Sequence, residues 1–83
     1  MDNTINASAF EKIFDSKYGW IGKLGGSQYE SFYLIVQDQR AVSGAIAVRI
    51  TKRDAENIIA SGGDARLIES VARNLGNGYL FVK

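Results

Sequence analysis

The sequence predicts a small α+β domain, with a three-stranded antiparallel meander, a C-terminal strand and three helices in the order α-β-β-β-α-α-β. Three observations carry that expectation. Apolar residues recur at helical spacing in three separate segments. Two long runs, near 28–38 and 41–50, are rich in aromatic and β-branched residues. Nine glycines and no proline punctuate the chain between these segments.

The first element reads as a helix. Phe10, Ile13, Phe14 and Tyr18 would form one apolar stripe. Ser8 with Glu11 matches a capping box, and Asn6 flanked by Ile5 and Phe10 matches a cap with a hydrophobic staple. Gly19 would end it. Residues 20–24 then read as a short strand and Gly25-Gly26-Ser27 as a turn.

The next two strands should form a hairpin whose register can be argued. Phe32, Leu34 and Val36 share one face of their strand, and Val42, Ile46, Val48 and Ile50 share one face of the next. An odd loop such as Gln39-Arg40-Ala41 puts both sets on the same side of the sheet. The expected pairs are Val36–Gly44, Leu34–Ile46, Phe32–Val48 and Glu30–Ile50. On the reverse face, Ile35 would oppose Ala45, Tyr33 would oppose Ala47, Ser31 would oppose Arg49, and Tyr29 would oppose Thr51. That face would be flat and amphipathic, with rings set against small side chains.

Thr51 is placed to cap a helix through Ala55, Ile58 and Ile59, which Ser61-Gly62-Gly63 would stop. Asp64 would cap a third helix with Leu67, Ile68, Val71, Ala72 and Leu75 inward and Gly76 as its stop. Asn77-Gly78 is a turn signal. Residues 79–82 read as a last strand, expected at a sheet edge with helices covering one face.

The 83 residues make one domain, 1–83, and 46% hydrophobic content with nine aromatics supplies a core. A chain of this size has a stability of about 4–12 kcal/mol. Without Cys or His, neither a disulfide nor an ordinary zinc site can reinforce it, and no cofactor or metal is expected. The polar N-terminus resembles no signal peptide and no apolar run approaches a membrane span, so a cytoplasmic location is the default expectation. Ten basic and nine acidic residues give a net charge of +1, too little for a duplex-DNA footprint.

The residue types argue against an enzyme. There is no His for general-base work near neutral pH and no Cys nucleophile. Asp54 and Glu56 stand two apart on a helix, so they do not face each other, and they suit its N-terminus. Ser61-Gly62-Gly63-Asp64 could cradle a phosphate, but it lacks a preceding strand and a Lys-Ser/Thr pair, and Asp64 would repel an anion. Gly22-Lys23-Leu24-Gly25-Gly26-Ser27 fits neither phosphate-binding spacing and reads as a turn.

The residues with a candidate binding role are Tyr29, Tyr33, Arg40, Arg49, Lys52 and Arg53. Tyr and Arg dominate interface hot spots, and Lys52 and Arg53 sit where a helix N-terminus disfavours positive charge. The expected function is a non-enzymatic module that binds, and inhibits or regulates, a larger protein or complex. In size, lack of proline and element order the chain is loosely similar to phage-encoded inhibitors, anti-CRISPR proteins included. One alternative is a single-stranded nucleic-acid binder stacking bases on the tyrosine face. Another is a self-associating subunit joined through Trp20 or the last strand, so a monomer or weak homo-oligomer is expected.

Overall fold

The computed structural model describes residues 4–25, 31–38 and 44–83, apart from the side chain at position 77. The strands are β1 (Thr4–Ile5), β2 (Glu11–Ser16), β3 (Gly19–Leu24), β4 (Ser31–Gln37), β5 (Ala45–Ile50) and β6 (Tyr79–Val82). The α-helices are α1 (Lys52–Ala60) and α2 (Ala65–Ala72), and short 3-10 turns occupy Ala7–Ala9 and Leu75–Asn77. Among the described residues six strands join one sheet in the order β1-β6-β5-β4-β3-β2. The sheet is mixed, because β1 runs parallel to β6 while the other neighbours are antiparallel.

This overturns the expectation of three helices on a four-stranded antiparallel sheet. The segment read as the first helix is a 3-10 turn followed by β2. Asn6 does stand at the N-cap of that turn, without a side-chain cap bond, and Ser8 lies inside it. The apparent helical period has a different origin. Phe10 packs on one face of the sheet, and Phe14 packs into the core on the other. A bulge at Ile13 breaks strict alternation between Lys12 and Phe14. Nine residues of helix gain little by themselves, whereas β2 pairs the outer edge of β3 along its length. Gly19, read as a helix stop, begins β3 after the Lys17-Tyr18 turn, and Ser16 Oγ donates to its carbonyl at 2.8 Å.

The β4–β5 ladder is two residues out from the expected register. Phe32 pairs with Ile50, Leu34 with Val48 and Val36 with Ile46, and the ladder ends at Gln37–Ala45. Gly44, at φ +83°, belongs to the turn, and Asp38 N–H donates to its carbonyl at 2.9 Å. An even slip preserves which side chains share a face, so Phe32, Leu34, Val36, Ile46, Val48 and Ile50 still share one side, while Val42 lies outside the described residues. The three-residue turn at 39–41 and the Glu30 and Tyr29 pairs lie outside the described residues.

The helices cover that apolar side. Ile21, Leu34 and Ile50 pack with Ala55 and Ile58 of α1 and Ile68 of α2. Thr51 accepts from Asp54 N–H at 3.0 Å, and Asp64 accepts from Arg66 and Leu67 N–H, so both predicted caps form. α2 stops at Ala72, earlier than expected, and Leu75 falls in the following 3-10 turn. Strand β6 matches its predicted span but lies between β5 and β1, away from the edge.

The reverse side is also sealed. Phe10 lies over Gly22, where an added Cβ would come within 2.8 Å of the Phe10 Cβ. Its ring meets Trp20 and Tyr33 edge-on at centroid distances of 5.8 and 5.5 Å. Beneath this N-terminal strap Ala47 is 0% exposed and Ile35 3%. Among the described residues no helix is long and apolar enough to cross a membrane.

Candidate functional site

The reverse face was expected to be flat and amphipathic, with rings opposite small side chains, and Phe10 covers part of it. Tyr33 is half-buried against Phe10 and pairs across the strands with exposed Arg49, while Ile35 stands opposite Ala47. Trp20 is half-buried too, with Lys12 Nζ 4.9 Å from the ring centroid. The same ammonium lies 3.4 Å from Asp15, which offsets its charge. What remains is a ridge of ring edges beside the Lys12–Asp15 pair and Arg49.

Lys52 and Arg53 are exposed on the first turn of α1, just after the Thr51 cap. With Arg49 they occupy the end of the sheet where β5 finishes and β4 begins. Arg49 also lines a shallow hollow of about 200 Å³ with Asp54, Ser70 and Asn74. Tyr29 and Arg40 lie outside the described residues. The structure therefore brings together Tyr33, Arg49, Lys52 and Arg53 at one end, without gathering them around a single cavity.

The phosphate-cradle reading of 61–64 finds its amides already used. Gly62 N–H donates to Ile59 O and Gly63 N–H to Ile58 O, each at 3.0 Å. Asp64 N–H donates to Ser61 Oγ at 3.1 Å, and Asp64 itself takes the first amides of α2. Gly63 has a packing role: a Cβ there would lie 2.5 Å from that of Ser16. Among the described residues no three acidic side chains gather as a metal site would require.

A larger hollow lies at the opposite end of the sheet from Arg49. About 570 Å³ opens between α2, the end of β4 and the β2–β3 turn. Its volume falls within the range of about 300–1,000 Å³ common for ligand clefts. Residues 65, 68, 69, 72 and 73 of the α2 region follow helical spacing and form one wall. Ile68 and Ala72 supply its apolar part, and Glu69 and Arg73 form an ion pair one turn apart at the rim. Val36 lines the sheet side, and Tyr18, 51% exposed, stands across from α2.

A second hollow of about 200 Å³ shares Tyr18, Val36 and Gln37 and continues toward Trp20, Ile35 and Ala45. Tyr18 thus stands between two recesses. Sequence reading missed it because it fitted the stripe of the supposed first helix. The polar Asp15-Ser16-Lys17 stretch before Gly19 was the available signal: Ser16 pairs with Gly19, which leaves Lys17-Tyr18 as a two-residue hairpin turn.

No family model, curated protein or solved structure matches this chain.

Proposed function

We propose that this chain is a small non-enzymatic protein-binding module that seats an apolar side chain of a larger protein in the hollow beside Tyr18. One observation carries the reading: a half-exposed tyrosine stands over a preformed, partly apolar recess. Tyrosine is among the commonest hot-spot residues, since it offers a large contact area with few rotors to immobilise. The Ile68–Ala72 wall provides desolvated contact, and the Glu69–Arg73 pair provides a polar rim. Regulation or inhibition by occlusion is the mode of action that suits a binding module of this size. The likeness to phage-encoded inhibitors now rests on size and lack of proline, because the element order differs.

The test places a photo-cross-linking residue at position 18, at 33 and at exposed position 56 on α1, in cells of the source organism. Adducts to one protein from position 18 and none from 56 support the proposal. Adducts from 33 with none from 18 return the binding surface to the sheet face, and equal labelling at all three positions removes the site.

A further inference from the structure

Both ends of the described sheet are edges, and they differ in kind. β1 has two residues, too few to template another strand, whereas β2 has six. Strand β2 carries exposed Glu11, Lys12, Ile13 and Asp15, and Ile13 is 39% exposed at the bulge. The bulge has a consequence for charge. Lys12 pairs with Gly22 and Asp15 with Trp20, and these two neighbours sit two apart on β3. Lys12 and Asp15 therefore lie on one face of the sheet although they are three positions apart, which regular alternation would forbid.

We propose that β2 pairs antiparallel with β2 of a second copy of this chain, about a two-fold axis between Ile13 and Phe14. In that register Lys12 faces the partner's Asp15, and Asp15 faces the partner's Lys12. Ile13 meets the partner's Phe14, and Glu11 meets the partner's Ser16. Both opposite-charge pairs form on the same face, as cross-strand neighbours must. A one-residue slip removes both pairs, and in one direction sets Glu11 against the partner's Asp15. The bulge is no obstacle, because the extra residue occurs on both strands at symmetry-related places and the outer ladder stays commensurate. The in-chain Lys12–Asp15 contact of 3.4 Å shows that the two groups already stand side by side along this edge. Tyr18 falls beyond the paired segment, so this interface leaves the hollow beside it open.

The test is sedimentation equilibrium of the full chain up to about 1 mM, with Lys12→Asp, Asp15→Lys and the double exchange. Both side chains are at least half exposed, so the variants should fold, and circular dichroism checks this. The wild type is expected to move from 9.1 kDa toward twice that mass as concentration rises. Each single exchange should weaken association at least tenfold, and the double exchange should restore it. A wild type that stays monomeric overturns the proposal. So does a dimer indifferent to the single exchanges, or one that the double exchange fails to rescue.

Discussion

Replacing Phe10 with Ala should cost about 3–5 kcal/mol, although the residue lies outside every regular element. The figure follows from the packing. Phe10 is 8% exposed, and a buried phenyl removes on the order of 150–200 Å² from water, worth about 4 kcal/mol at 25 cal/mol per Å². Its two edge-on ring contacts, with Trp20 and Tyr33, add about 0.5–1.5 kcal/mol each. Partial collapse of the strap onto Gly22 recovers some of this. Against a total of about 4–12 kcal/mol, the variant loses about a quarter of its stability or more. Urea denaturation followed by the emission of Trp20, the single tryptophan and a neighbour of Phe10, measures the loss directly. Ile59→Ala, at a 39% exposed position, is the control and should cost less than about 1 kcal/mol. A loss at Phe10 no larger than at Ile59 would refute the claim that the N-terminal strap seals the reverse face.

Two further perturbations test other parts of the account. Gly62 and Gly63 both have positive φ, at +74° and +86°, but only Gly63 would clash, against Ser16. Gly62→Ala should cost about 1–2 kcal/mol and Gly63→Ala about 2–4 kcal/mol, and the midpoints differ by about 1.5 kcal/mol, so the melting temperature of the second variant should fall about 6–12 °C further by calorimetry, at about 4–8 °C per kcal/mol. Lys52→Glu places an anion in the first turn of α1 and should stabilise by about 0.3–1 kcal/mol in low salt, an increment that about 1 M NaCl should abolish.

The parts legible in the sequence were those fixed by local chemistry. Thr51 and Asp64 announce α1 and α2 through side-chain acceptors, and the alternation of Phe32, Leu34 and Val36 announces β4 and its buried side. Parity of the hairpin was readable, since only an even offset keeps both apolar sets together. The exact register was not, because moving two residues along leaves every face unchanged, and Gly44 decides where β5 starts. The first helix failed for a similar reason. Phe10, Phe14 and Tyr18 have helical spacing, but they are respectively a strap residue on one face, a core residue on the other and a turn residue. Only long-range pairing with β3 distinguishes these readings, and spacing does not encode it. The site was missed through the same error, since a tyrosine assigned to a helix stripe is counted as core.

The most direct measurement of the binding claim is backbone amide shift mapping on titration with the protein captured through position 18. Perturbations are expected to cluster at Tyr18, Gln37, Ile68 and Ala72, which border the hollow. Shifts confined to Tyr33, Arg49 and Lys52, with Tyr18 and α2 unmoved, would contradict the account and place docking at the far end of the sheet.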